Sequence, residues 1–247
     1  MPATPAWPPK SAPRLFLAEE LGEGRMVTID GAQAHYLGKV MRVREGDAVI
    51  LCDDVTGEWA ARVTEAGKRD VTLEVVQQLR AREAVPDLWL CPALLKKDRF
   101  DLILEKATEL GVGRIQPVLT RRCVADKLNH ERARAITIEA AEQCARTALP
   151  ALAEPVKLDT LLAGWPEDRA LFFADENGGD NAAAAFAAHS GAAAILIGPE
   201  GGFDEAERAA IRAHPQARTI SLGPRILRGE TAAIAALAVW MARAGDW

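Results

Sequence analysis

Two rhythms of apolar and polar positions divide the chain near residue 85. Before it, short runs alternate β-branched and polar residues: RLFLA (14–18), RMVTI (25–29), DAVILCD (47–53), GEWAARVTEA (57–66) and DVTLEVVQQL (70–79). A period of two marks strands with one buried face. One exception, GAQAHYLGKVM (31–41), puts Ala34, Leu37 and Met41 on one side of a short helix. The spacing predicts a small β-barrel over 14–80. On pattern alone, a generic β domain that binds nothing reads equally well.

The charged stretch RAREAVPD, with Pro86, marks a linker over 81–87. Beyond it the grammar changes. Continuous apolar runs, LWLCPALL (88–95), GRIQPVLT (113–120), LFFAD (171–175), AILIG (194–198) and TISLG (219–223), read as buried strands. Between them lie helical patterns at 98–110, 131–147, 181–188, 204–213 and 230–242. In the first of these, Phe100, Ile103, Leu104, Ala107 and Leu110 share a face and Gly111 supplies the stop. Strands alternating with helices predict an α/β domain over 88–247.

Composition narrows the class. The chain has 247 residues, 49% of them hydrophobic and 26% charged, with a formal net charge of -5. That balance speaks against a protein that coats nucleic acid non-specifically. Residues 94–134 nevertheless carry ten Lys or Arg against six Asp or Glu. Lys96, Lys97, Arg99, Arg121, Arg122 and Lys127 are therefore either phosphate contacts or an ordinary solvated surface. Arg14, Lys39, Arg42 and Arg44 form a smaller candidate RNA-facing patch in the first domain, and Arg146 is a further candidate. The four cysteines are widely spaced with no CxxC pair, and the four histidines show no metal-site spacing, so no metal is expected. The first thirteen residues contain five prolines and read as a flexible arm. No run reads as a membrane span. A cytoplasmic protein that binds neither membrane nor DNA is expected.

Candidate chemistry concentrates in loops that follow apolar strands. In ILIGPEGGFDEAE (195–207), paired glycines allow close backbone approach, and Asp204 with Glu207 matches a capping box. This is either a plain strand–turn–helix link or a ligand cradle. It matches neither GxxxxGK[ST] nor GxGxxG. SLGPRILRGETAAIAAL (221–237) places Arg225 and Arg228 ahead of the last helix, where free backbone N–H groups can hold a polar ligand edge. Ligands in α/β sheets bind beyond strand C-termini, so the two loops can share one pocket. In EAAEQCARTALP (139–150), Glu142 and Arg146 are spaced as a helical ion pair.

The ordered set PRLF (13–16), HYLGKVMRVREGD (35–47), ATELGVGRIQPVLTRRC (107–123), EQCART (142–147), LIGPEGGF (196–203) and LGPRILRGETA (222–232) closely resembles the RsmE family. These are SPOUT-class methyltransferases that modify N3 of a uridine in 16S rRNA. The match spans nearly the whole chain after the arm. The resemblance implies a PUA-like RNA-binding barrel followed by an α/β SPOUT domain with a trefoil knot. It implies a homodimer, 16S rRNA in the 30S subunit as partner, and S-adenosylmethionine as cofactor. The implied cofactor residues are Leu196, Ile197, Gly198, Glu200, Gly201, Gly202, Leu222, Gly223, Pro224, Ile226, Leu227 and Thr231. In the implied chemistry, Arg228 and then Arg225 stabilise a developing uracil anion, and Glu230 takes the N3 proton. One departure stands out. The family commonly shows LRTETxA, and here Gly229 replaces the first threonine. A non-catalytic RNA-binding assembly factor, or a methyltransferase for another base, are the competing readings.

Overall fold

The computed structural model describes residues 7–247, so part of the proline-rich arm lies outside the described residues. The chain forms two compact units. The first comprises the N-terminal residues through Ala84 together with Ala141–Ala148, and the second comprises Val85–Ala140 and Leu149–Trp247.

The first unit contains β1 (Arg14–Phe16), β2 (Met26–Ile29), α1 (Gly31–His35) running into a π-helix (Tyr36–Met41), β3 (Ala48–Asp53), β4 (Gly57–Ala66) and β5 (Val71–Ala81). The ladder order is β1-β3-β4-β5-β2, with β1 parallel to β3 and the other pairs antiparallel. Alternation along the strands drives Val27, Ile29, Val49, Leu51, Leu73 and Val75 into one core. Leu15 on one edge strand and Val27 on the other join that core, so the sheet curls around it. Met41, expected on the helix's buried side, is partly exposed instead. The widened π turn ends at Arg42, whose φ is 55°.

Residues 141–148 belong to this unit, although a division along the sequence at 88 assigns them to the second. Glu142 Oε1 accepts from the Phe16 N–H at 2.7 Å, and Arg80 donates to the Ala145 carbonyl at 2.6 Å. The Glu83 N–H donates to Thr147 Oγ1 at 2.9 Å.

The second unit contains β6 (Leu88–Pro92), α2 (Lys97–Glu109), β7 (Arg114–Ile115), β8 (Val118–Leu119), α3 (His130–Cys144), β9 (Ala151–Leu152) and β10 (Val156–Lys157). α4 (Leu158–Ala163), β11 (Ala170–Ala174), β12 (Asp180–Asn181), α5 (Ala182–Ala187), β13 (Ala193–Ile197), α6 (Glu205–Ala213), β14 (Ala217–Ser221) and α7 (Gly229–Ala244) follow. The strand expected at 113–120 is split into β7 and β8, because Pro117 cannot donate to a ladder. Seven strands form a wholly parallel sheet in the order β12-β14-β11-β13-β6-β7-β9. Apolar residues cover both faces of it. Phe172, Phe186, Leu237 and Trp240 lie in one cluster; Leu171, Phe173, Leu196 and Phe203 lie in another. Among the described residues, no helix is long and apolar enough to cross a membrane.

This strand order places the site. β11 pairs with β13 on one side and β14 on the other, all parallel, with Phe173 opposite both Leu196 and Thr219. The three strands therefore end together, and the segments after Ala174, Ile197 and Ser221 leave the same sheet edge.

Candidate active site

Those three segments enclose a cavity of about 370 Å³, within the usual range for a small-molecule pocket. From the β13 loop come Ile197, Gly198, Pro199, Gly202 and Phe203; from the β14 loop, Leu222 through Leu227; from α7, Gly229 and Ala232. The segment after β11, Asp175–Gly178, forms the remaining wall, together with Arg208 of α6. The loops after β13 and β14 are the two glycine-proline segments singled out in the sequence; the segment after β11 carries no such mark.

Local chemistry fixes each loop. Asp204 caps α6, its side chain accepting from the Glu207 N–H at 2.7 Å while Glu207 Oε2 accepts from the Asp204 N–H at 3.0 Å. That backbone bond and the Arg121 guanidinium hold the Asp204 carboxyl below its ordinary pKa. Gly202 sits at a φ of 66°, and a Cβ there would lie 2.6 Å from Glu176 Oε1. Only glycine meets both conditions. Beneath the cavity, Asp175 is paired with Arg208 and, at 2.7 Å, with Arg212. Arg208 also donates to Glu176 Oε1 at 2.9 Å. Burial opposes the Arg208 charge, but its bonds to Asp175 and Glu176 outweigh that and raise its pKa.

The expected cofactor residues separate into two groups. Ile197, Gly198, Gly202, Leu222, Gly223, Pro224, Ile226 and Leu227 line the cavity. Leu196 does not, being fully buried in the core beneath it. Glu200 turns outward to Arg99 at 2.9 Å, and the Gly201 carbonyl accepts from Arg122 at 2.7 Å. Thr231 is exposed on α7. Arg225 lines the cavity, and Arg228, the N-cap residue of α7, lies between lining residues Leu227 and Gly229. Glu230 is buried behind the wall, with Oε1 3.8 Å from Arg99 and Oε2 without a hydrogen-bond partner. A Cβ on Gly229 would meet Leu95 Cδ1 at 3.1 Å and the Gly198 carbonyl oxygen at 3.2 Å. A threonine there fits only if Leu95 and the Gly198 carbonyl give way by a few tenths of an ångström.

The basic candidates also sort by environment. Lys96, Lys97, Arg122 and Lys127 are exposed in the second unit, and Lys39, Arg42 and Arg44 in the first. Arg99 is tied to Glu200, and Arg121 to Asp204 at 2.7 Å. Two candidates need correction. Arg14 is tucked against Glu58 at 2.7 Å and donates to Cys52 Sγ, serving the first unit's interior. Arg146 is only 5% exposed, and burial lowers its pKa; it is not a surface charge for RNA.

The model of the RNA methyltransferase domain matches residues 82–241, and that of the RNA methyltransferase PUA domain matches residues 29–76. The ribosomal RNA small subunit methyltransferase E of Synechocystis is 32% identical over 91% of this chain and 76% of its own length. That of Bacillus subtilis is 30% identical over 89% and 91%.

The chain belongs to the ribosomal RNA small subunit methyltransferase E family.

The fold agrees. The crystal structure of the Neisseria gonorrhoeae enzyme of this family, bound to S-adenosyl methionine, superposes with a TM-score of 0.87 at 29% identity. It covers 96% of this chain and 99% of that one. The first unit is accordingly a PUA-like domain and the second a SPOUT-like α/β domain.

Proposed function

We propose that this protein transfers a methyl group from S-adenosylmethionine to N3 of a uridine in 16S rRNA of the 30S subunit. The observation that carries the reading is the cavity at the shared end of β11, β13 and β14, in a chain of this family. The residues present suit the cofactor. Bare backbone at Gly223, with open space where a Cβ would lie, admits close approach, apolar Leu222, Pro224 and Leu227 offer a face for a flat ring, and Arg208 Nε is a buried donor without a partner. When bound, S-adenosylmethionine supplies an electrophilic methyl group on a sulfonium sulfur.

The protein's own task is alignment and charge control. Uracil N3 carries a proton and is a poor nucleophile until that proton leaves. Arg228 and Arg225 place positive charge where the uracil oxygens gain negative charge. Glu230, in the first turn of α7, takes the proton. N3 lies inside a normal base pair, so the target nucleotide must be unpaired or turned outward. Lys39, Arg42 and Arg44, with Lys96, Lys97, Arg122 and Lys127, hold the RNA by its phosphates.

The reading includes a trefoil knot in the second unit, supported by the crossed strand order β14-β11-β13-β6. It includes a homodimer with active sites at the interface, supported by Ile226, an apolar side chain 87% exposed at the cavity wall. The test is transfer of labelled methyl from S-adenosylmethionine to purified 30S subunits lacking the modification. Label is expected in the RNA, and Arg228→Ala is expected to slow transfer about 100- to 1,000-fold. Binding to the subunit with no transfer would instead identify an assembly factor.

A further inference from the structure

Glu176 stands out in the cavity wall because no part of the chemistry above uses it. It follows the apolar strand β11 and is held from below: Arg208, buried itself, donates to Glu176 Oε1 at 2.9 Å. Gly202 has no side chain where the carboxylate lies; a Cβ would sit 2.6 Å from Oε1 and 3.0 Å from Oε2. The carboxylate is thus fixed in direction yet 44% exposed, with one oxygen anchored and acceptor capacity remaining. A merely solvated surface glutamate needs neither the buried anchor nor the glycine cradle.

We propose that Glu176, oriented by Arg208, is the carboxylate that accepts hydrogen bonds from the ribose hydroxyls of the nucleoside cofactor. This rests on the cofactor reading of the cavity. S-Adenosylmethionine offers two kinds of strong donor that a carboxylate can take, the neutral ribose diol and the charged ammonium. The electrostatics of the cluster choose between them. Asp175 and Glu176 are matched by Arg208 and Arg212, so the four side chains carry no net charge together. A neutral cluster gives little field to attract a cation, whereas its fixed acceptor oxygens still suit a neutral donor. A carboxylate's two oxygens also suit two neighbouring hydroxyls, the same pairing by which acidic residues read ribose in dinucleotide folds. Arg208 acts through Glu176 and is a positioning residue.

Calorimetric titration of the full chain with three probes tests this. The probes are S-adenosylhomocysteine, its analogue lacking both ribose hydroxyls, and 5′-methylthioadenosine, which keeps the diol but lacks the ammonium. The unmodified protein is expected to prefer S-adenosylhomocysteine over the diol-free analogue by about 10- to 100-fold, the usual range for hydrogen bonds to a charged group. Glu176→Ala is expected to abolish that preference and to weaken S-adenosylhomocysteine and methylthioadenosine by the same factor. Glu176→Gln, which keeps the shape and one acceptor, is expected to fall between. Arg208→Lys is expected to reduce the diol preference; a purely structural role would weaken all three probes alike and leave the preference unchanged. An intact diol preference in Glu176→Ala overturns the assignment, as does a loss confined to S-adenosylhomocysteine, which would assign Glu176 to the ammonium. Failure of the unmodified protein to bind S-adenosylhomocysteine overturns the cofactor reading itself.

Discussion

Removing the charge of Arg208 is expected to destabilise the second unit more than any surface substitution. Its side chain is 5% exposed, and its partner Asp175 is fully buried. Breaking such a pair from one side leaves an uncompensated charge, at a cost of about 3–5 kcal/mol. The structure points to the lower end for Arg208→Met, about 3 kcal/mol. Asp175 would keep Arg212 at 2.7 Å and the Asn177 N–H at 3.0 Å, and Glu176 is exposed enough for water to replace its lost bond. Asp175→Asn is expected to cost a similar amount, because Arg208 then retains only Glu176 and the distant Phe203 carbonyl. Combined, the two substitutions remove both charges. The double variant is therefore expected to lose less than the sum of the singles, with a coupling of about 1–3 kcal/mol. Two units need not unfold together. The assay is native-state hydrogen exchange read on peptides covering 170–174 and 193–197, the strands flanking the cavity. Losses below about 1 kcal/mol for each single variant, or strict additivity in the double, would mean that the Arg208–Asp175 pair does not carry this stability.

Three further outcomes are expected. Gly229→Thr restores the residue common in the family, but its Cβ would enter space held by Leu95 and the Gly198 carbonyl; it should cost about 1–3 kcal/mol of stability, read by urea unfolding, rather than raise activity. Asp53 accepts from Leu21, Val55 and Thr56; its burial opposes the charge, but the Thr56 bonds and then the others outweigh that and lower its pKa. Its contribution is therefore complete above the ordinary carboxylate pKa and is lost as pH falls through the depressed one. Exchange protection of the first unit should decline in that acid range, and the decline should be absent in Asp53→Asn, already weakened at neutral pH. Finally, each of Lys39→Ala, Arg42→Ala and Arg44→Ala should lower the salt slope of 30S binding by about 1, measured by filter binding; an unchanged slope for all three would remove that patch from the RNA contacts.

Strands buried on both faces were readable because each is a continuous apolar run, and α2 and α6 were readable from apolar spacing and caps. β9, β10 and β12 are two residues long, too short for any period to register. Membership of 141–148 in the first unit rests on contacts such as Phe16 to Glu142, 126 residues apart, which no local pattern encodes. Two cavity loops were legible from glycine and proline after a strand. The third, at Asp175–Gly178, was hidden because its acidic residues look like an ordinary strand ending. A signal was present nonetheless. Arg208 lies among the buried residues of α6 with Glu207 and Ile211, and a charge on a buried helix face requires a partner. Glycine at 229 read in sequence as a lost hydroxyl; the packing of Leu95 against it appears only in three dimensions.

The position of the methyl group on the base decides the proposed function. Its most direct test is incubation with S-adenosylmethionine and 30S subunits lacking the modification, then digestion of the 16S rRNA to nucleosides and mass spectrometry against authentic standards. 3-Methyluridine is the expected product. Methylation found on any other nucleoside would contradict it.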